Sequence, residues 1–452
     1  SRGLGDVYKR QQLYILLKSE KLLSPVVVTG AMRMPEQPPE LNGMSLDRIL
    51  HCSSETMDFA REYNGRYLHW SDLEYRDVGT DSREVLWYLM KILRRGTERS
   101  VVLGDLKLSY NVTDDAQRIL HELDMRLTSG LVPNSKLDDK RRLLLTVSSI
   151  MEESIASSQM EGASTTTKAA KKMLRENKLP TNRSERMIFN NYNAMRFIKD
   201  HAGDRLTPEL IREVHSIISK DTLEDPSYEG RFREDNSIAV RDILSGETFH
   251  NPPDHTKIAD MVTGLCAFAN DDRVFVHPVV KGIILHFSLA YIHPFMDGNG
   301  RVSRSLFYWC LLRSGYASVE YLSISKVMKS HRGRYDQAYL LSETDDNDVT
   351  YFINFNLEVV SEAADRFLEY VRRKIEENER SLMDPRVMEL NARQRDVLAD
   401  LMNSNEPLDV YELSSKHMVQ PSNIRRDLQK LNDMGLAIKA RQGRRVVYAY
   451  RK

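Results

Sequence analysis

His293-Pro294-Phe295-Met296-Asp297-Gly298-Asn299-Gly300-Arg301, with Arg304 three residues later, is the stretch that decides the reading of this chain. Twelve residues bring together a proton acceptor, a carboxylate, two glycines, an amide and two guanidiniums. Upstream, Pro278 to Tyr291 predicts a buried helix. Val280, Ile283, Ile284, Phe287 and Tyr291 recur at helical spacing, and Pro278 suits a first turn. Downstream, Val302 to Leu312 predicts a second helix that stops near Gly315. The stretch is therefore a short loop feeding a helix N-terminus, where unpaired backbone N–H groups and the helix dipole favour an anion.

Residue chemistry assigns roles. A neutral His293 can take a hydroxyl proton near pH 7. Asp297 offers hard oxygen to magnesium carried by phosphates. Gly298 and Gly300 let backbone approach phosphate oxygens, and the Asn299 amide can donate to the same anion. Arg301 and Arg304 share a helix face and can grip non-bridging oxygens in bidentate fashion.

The stretch resembles the Fic domain signature, His-Pro-Phe-x-Asp/Glu-Gly-Asn-Gly-Arg-x-x-Arg, at every specified position. The resemblance implies an all-α Fic-type helical core with a small β-hairpin flap. It implies transfer of AMP from ATP to a Tyr, Thr or Ser hydroxyl of a target protein, and of the chain itself. It further implies that His293 deprotonates the hydroxyl, that Asp297 holds Mg2+, and that Gly298 to Arg301 and Arg304 hold the phosphates. Tyr335 falls near the position at which family members contact adenine.

Ser157-Ser158-Gln159-Met160-Glu161-Gly162 matches Ser/Thr-x-x-x-Glu-Gly/Asn, the inhibitory helix motif of many Fic proteins. A helix over about 138–162 is expected, with Leu143, Val147, Ile150, Met151 and Ser154 on one face. Ser157 and Glu161 then project from the same side. In the family the glutamate pairs with the second signature arginine, here Arg304, and withdraws a γ-phosphate ligand. The expected enzyme is weak at rest.

Composition bounds the alternatives. The 452 residues suffice for two to four domains of ~100–200 residues. Lys plus Arg and Asp plus Glu are both 65, so the whole chain carries no bulk attraction to nucleic acid or membrane. Cys52, Cys266 and Cys310 form neither a disulfide framework nor a zinc pattern, which favours a reducing, cytoplasmic setting. No apolar run approaches the ~20 residues of a membrane helix, and no secretory signal is evident. Residues 1–11 (SRGLGDVYKRQ) resemble translated scrap from the end of a sequence read and are set aside from the fold, and 1–21 is read as a tail of unassigned structure. His250, His255, His277 and His286 lack ligand spacing; His286 is expected in the core. No P-loop motif occurs, which excludes P-loop kinases and NTPases.

Four regions are expected: the tail, a helical extension over 22–129, the Fic core over 130–380 and a C-terminal module over 388–452. The extension carries helical patterns over 47–128, a short packed segment Tyr67-Leu68-His69-Trp70, and no chemistry. Packing and dimerisation is its expected role, with target binding as the alternative. Gly230-Arg231-Phe232-Arg233 precedes Ser237, Ile238, Ala239 and Val240, then a Ser245-Gly246 turn. This alternation predicts a hairpin that resembles the Fic flap, which pairs with the target backbone.

The last module reads as three helices, 391–403, 410–418 and 423–434, followed by a hairpin around Gln442-Gly443. That is a winged helix-turn-helix pattern. Pro421 to Lys452 holds nine Lys or Arg against two Asp, a local net of plus seven. Arg425, Arg426, Lys430, Arg444 and Arg445 are candidate DNA contacts, with protein contact as the alternative use. Rival functions are removal of AMP, phosphoryl transfer as in Doc toxins, and an ATP-sensing DNA-binding regulator. Doc relatives carry Lys where Gly300 stands, and an intact His293 argues against the regulator.

Overall fold

Side-chain caps set where the helices begin. Ser53, Ser82, Thr113, Thr166, Asn182, Thr207 and Asn391 each accept a backbone N–H from the first turn that follows them. Each such cap stabilises its helix by ~1 kcal/mol. The computed structural model describes residues 34–40, 51–128, 139–241, 248–382, 385–404, 407–442 and 445–451. The chain divides into two units, Ser1–Leu368 and Glu369–Lys452. The expected tail at 1–21 lies outside the described residues. No helix among them is long and apolar enough to cross a membrane.

The first unit opens with α1 (Ser54–Gly65), α2 (Arg83–Arg95), β1 (Arg99–Leu103), β2 (Leu106–Tyr110) and α3 (Asp114–Leu127). The helical reading of 47–128 fails at 99–110, where β1 and β2 form an antiparallel hairpin. Val101, Leu103, Leu106, Leu108 and Tyr110 are buried, a period of two, and Gly104 turns the chain at φ +59°. Tyr67-Leu68-His69-Trp70 packs as expected: Tyr67, His69 and Trp70 are buried. Beside them, fully buried Arg94 donates to the Leu68 carbonyl and to the Tyr351 hydroxyl.

The core continues with α4 (Asp139–Met160), α5 (Thr167–Arg175), α6 (Arg183–Asp200), α7 (Pro208–Ser219), β3 (Val240–Arg241), β4 (Thr248–His250) and α8 (Ile258–Asn270). Then follow α9 (Pro278–Ile292), α10 (Asn299–Arg313), α11 (Ile324–Ser330), α12 (Arg332–Thr344) and α13 (Thr350–Leu382). Residues 279–289 of α9 and 301–311 of α10 are buried without a break. A helix buried all round belongs at the centre of a domain. The two pack on each other, with α6 and α7 against α10 and with α4 across α6 and α11. His286 is in this core, as expected.

A helix stands where the inhibitory helix was expected: α4 ends at Met160, with Glu161 and Gly162 in the turn beyond it. Position 138 and the Leu143 side chain lie outside what is described. The flap hairpin is shorter than expected. Only Val240 of the four candidates is in a strand, pairing with His250. Ser237 precedes the strand because its hydroxyl and N–H both bond Asp235, a turn geometry. Ile238 and Ala239 are buried. The Ser245-Gly246 turn lies outside the described residues.

The second unit contains α14 (Pro385–Met388), α15 (Ala392–Asn403), β5 (Leu408–Asp409), α16 (Val410–His417), α17 (Pro421–Asp433), β6 (Ala437–Gln442) and β7 (Arg445–Tyr450). The expected three helices and hairpin are present. A third strand, β5, joins them in the order β5-β7-β6. Val397, Leu401, Leu413, Ile424, Leu428 and Leu431 form the core. Replacing one of these leucines with alanine should destabilise the unit by ~2–5 kcal/mol.

Candidate active site

The connection between α9 and α10 is held rigidly from behind. His293 ends α9 in the left-handed conformation, φ +49°, with its N–H on the Leu289 carbonyl at 3.0 Å. Asn299 binds both polar backbone groups of Phe295, accepting its N–H at 2.9 Å and donating to its carbonyl at 2.7 Å. His215 of α7 stacks on Phe295 with centroids 3.7 Å apart, and its Nε2 is 2.9 Å from the Asp297 carbonyl. The other nitrogen, Nδ1, accepts the Gly230 N–H, so Nε2 carries the proton and donates. Gly298 closes the loop at φ +88°, where an L side chain would be strained.

The Asn299 side chain thus ties the loop together through Phe295, and its amide nitrogen keeps a second N–H beyond the one given to the Phe295 carbonyl.

His293 is buried, and its Nδ1 stands 3.2 Å from the Ala290 carbonyl. A carbonyl only accepts, so Nδ1 holds the ring proton and Nε2 keeps a free lone pair. Burial, with smaller contributions from the nearby His250 and Arg233 charges, pushes its pKa down to about 4. The imidazole is neutral at pH 7 and able to take a proton.

The N-terminus of α10 is lined by buried cations. Arg301 is fully buried; one nitrogen donates to the Ile218 carbonyl at 3.3 Å, while Nε and Nη2 have no hydrogen-bond partner. Asp297 Oδ1 approaches Nη2 to 3.6 Å. Asp297 is 31% exposed, so its carboxylate can be reached from solvent, and Arg183 of α6 pairs with it at 3.2 Å. Unpaired guanidinium donors beside a helix N-terminus suit an anion with several oxygens. One accessible carboxylate suits Mg2+ that arrives on phosphates. Among the described residues no group of three or more His, Cys, Asp or Glu could hold a metal by itself.

Glu161 stands over that helix N-terminus. Its Oε1 is 2.9 Å from Arg304 Nη2, and Arg304 also donates from Nε to Ser157 Oγ at 2.9 Å and from Nη2 to the Ser157 carbonyl at 3.0 Å. A Cβ placed on Gly300 would fall 2.2 Å from Glu161 Oε1, so only glycine admits the carboxylate here. Burial pushes the Glu161 pKa up, but Arg304, Arg332 and Arg301 outweigh it and hold the group ionised. Helix α4 is anchored by a second buried carboxylate. Glu153 accepts from the Tyr308 hydroxyl and the Ser325 N–H, both at 2.8 Å.

Other candidates fall in place less completely. Tyr335 is buried on α12, with its hydroxyl 3.1 Å from His286 Nε2. In the second unit Arg425, Arg426 and Lys430 are exposed on α17. Lys430 bonds the Glu389 carbonyl and Gln394, and Arg445 lies 3.6 Å from Asp409. Arg444 lies outside the described residues. Four side chains at the site escaped assignment from sequence: Arg183, His215, Arg233 and Arg332. Only His215 carried a signal, an imidazole among the apolar positions Ile211, Val214 and Ile218 of α7.

Residues 205–311 match the Fic/DOC family and residues 393–451 match an HTH domain. The chain is 28% identical over 179 residues to Protein adenylyltransferase Fic of Aedes aegypti, covering 39% of this chain and 32% of that protein. The same name and identity apply to the Culex quinquefasciatus protein, over 37% of this chain and 33% of that one. The chain thus spans about a third of the length of these curated relatives. A Fic family protein from Desulfovibrio desulfuricans G20 shares the fold at TM-score 0.50 and 17% identity, covering 74% of this chain and 94% of that one. A variant of Fic-1 from C. elegans does so at TM-score 0.50 and 16% identity, covering 71% and 86%. Residues 205–311 are a Fic/DOC-family domain, and residues 393–451 are a helix-turn-helix domain.

Proposed function

We propose that this chain transfers AMP from ATP to a hydroxyl of a target protein, and of itself, and that Glu161 holds the reaction back. The observation that carries the reading is the neutral, buried His293 with a free Nε2, next to a helix N-terminus lined by Arg301 and Arg304. The name of the curated relatives, protein adenylyltransferase, supports the same chemistry. The hydroxyl proton passes to His293 Nε2 as the oxygen forms a bond to the α-phosphorus. The bond from that phosphorus to the bridging oxygen breaks, and pyrophosphate leaves. Arg301 and the backbone N–H groups of α10 bind the phosphates and stabilise the charge that builds on the leaving group. Asp297 would hold Mg2+, which supplies charge neutralisation when bound.

Inhibition follows from occupancy. The Glu161 carboxylate occupies the anion position at Gly300 and keeps Arg304 engaged, so a γ-phosphate meets a negative charge and one guanidinium fewer. Label transfer from ATP labelled at the α-phosphate tests both parts. Label should rise in Glu161→Gly and vanish in His293→Ala. Equal label in the parent and a folded Glu161→Gly would overturn the inhibition, and undiminished label in His293→Ala would overturn the base.

We also propose that the second unit binds duplex DNA. Exposed Arg425 and Arg426 on α17, with the net positive charge of the region, support phosphate contacts. Three free cysteines, Cys52, Cys266 and Cys310, support a reducing, cytoplasmic setting.

A further inference from the structure

Arg233 is a buried cation with an unusual set of partners. It is 3% exposed. Its Nε donates to the His293 carbonyl at 3.0 Å, and its backbone N–H donates to the Pro294 carbonyl at 2.8 Å. Nη1 donates to the Asp235 carbonyl at 2.7 Å and to Asn236 Oδ1 at 3.1 Å, and Nη2 donates to the Pro253 carbonyl. Every one of these acceptors is neutral. Burial disfavours the guanidinium charge, the Asp235 and Asp254 carboxylates offset part of that cost, and the hydrogen bonds that satisfy its donors tie down every segment it touches.

What it fixes is two segments at once. Residues 235–236 enter the flap hairpin and residues 253–255 leave it. Asn236 closes that base further, donating to Asp254 at 2.7 Å and accepting the His255 N–H at 2.8 Å. His293 is the proposed base. Both ends of the flap and the backbone of the base therefore meet on one planar, rigid fork. A second tie runs in parallel, from His250 of β4 to the Tyr291 carbonyl at 2.7 Å.

We infer that Arg233 is a positioning residue that locks the flap to His293, so that a hydroxyl presented by the flap and the imidazole that takes its proton keep one fixed separation. The inference rests on the transfer proposed above, and it explains a residue that contacts neither phosphate nor metal candidate. It also bears on the base itself. His293 is faced by His250, Arg233, Glu161 and the Ala290 carbonyl, and the Arg233 charge helps keep it neutral. Removing that charge lets the His293 pKa rise, so the acid limb of the rate profile moves to higher pH.

The test uses the full chain carrying Glu161→Gly, with Arg233→Ala, Arg233→Lys or Asn236→Ala added. Hydrogen exchange is followed in the segments 235–241 with 248–254 and 290–294, beside ATP affinity and AMP transfer. Arg233→Ala should raise exchange in both segments together and lower kcat roughly a hundredfold, the scale expected for lost orientation. ATP affinity should stay within about twofold, because the phosphate ligands are untouched. Free guanidinium ion should restore part of the rate. Asn236→Ala should loosen the flap segments alone. Arg233→Lys, which keeps the charge without the fork, should share the kcat loss and decides the matter if Arg233→Ala fails to fold. Exchange that rises in one segment only, or kcat unchanged in a folded variant, would overturn the coupling. If the Glu161→Gly parent transfers no AMP, the proposed function is what has failed, and the paired exchange response alone judges Arg233.

Discussion

The arginines of α10 and those of α17 stand in opposite surroundings. Arg301 and Arg304 are buried; Ser157 and Glu161 hold Arg304, while Arg301 keeps Nε and Nη2 without a hydrogen-bond partner. Arg425 and Arg426 stand out in solvent. A buried guanidinium has a fixed direction and loses little freedom on binding, so it can read the shape of a small anion. An exposed one reads only charge, weakly and at any point along a polyanion, and salt screens it. On the functions proposed above, the same residue type would hold a nucleotide in one unit and a nucleic acid in the other. Burial makes the difference.

The largest expected effect lies on the buried side. In the Glu161→Gly chain, His293→Ala should lower AMP transfer about a thousandfold, the scale of a lost general base, as read by label incorporation. Next comes Arg304→Ala in the parent. It leaves the Glu161 carboxylate buried without its main partner and should destabilise the first unit by ~3–5 kcal/mol in denaturant unfolding. A loss below 1 kcal/mol would mean that Arg332 holds the carboxylate instead.

Acid gives a smaller effect with a definite sign. His69, His215 and His293 have folded pKa values lowered to about 4, chiefly by burial. The unfolded chain binds their protons first, so stability is intact above ~6.5 and falls as pH drops toward the folded values. At pH 5 each should cost about 2 kcal/mol relative to pH 7. Thermal melts at the two pH values check this, and an unchanged first-unit transition would contradict it. The carboxylate of Glu161 is depressed, so its pairing should persist through this whole range and weaken only in stronger acid. The mildest perturbation is on the exposed side. Arg425→Gln with Arg426→Gln should weaken duplex DNA binding across sequences and reduce the salt slope by about 1.8, while leaving AMP transfer unchanged. A change in transfer would erase the distinction between the two sets of arginines.

Much of the fold was legible because its signals are local. Caps such as Asn391, the apolar run before His293 and the pattern of three helices and a hairpin each lie within a few turns of chain. The hairpin at 99–110 was missed because it lies between two helical patterns and its buried strand is only five residues long. β5 was missed for the same reason: two residues carry no period.

By itself the sequence determined the parts of the site that lie next to one another. His293, Asp297, Gly300, Arg301 and Arg304 sit at helix-loop-helix spacing, and Ser157 and Glu161 are one helical turn apart, so local geometry already brings each set to one face. Only the tertiary structure decided what meets them. Glu161 reaches Arg304 across 143 positions, Arg183 reaches Asp297 across 114, His215 reaches the Asp297 carbonyl across 82 and Arg233 reaches the His293 carbonyl across 60. Asn299 braces the loop through both polar backbone groups of Phe295, four positions before it. Backbone periodicity fixes which residues share a face over a few turns. Contacts between helices depend on how whole buried faces pack, and no spacing within one segment records that.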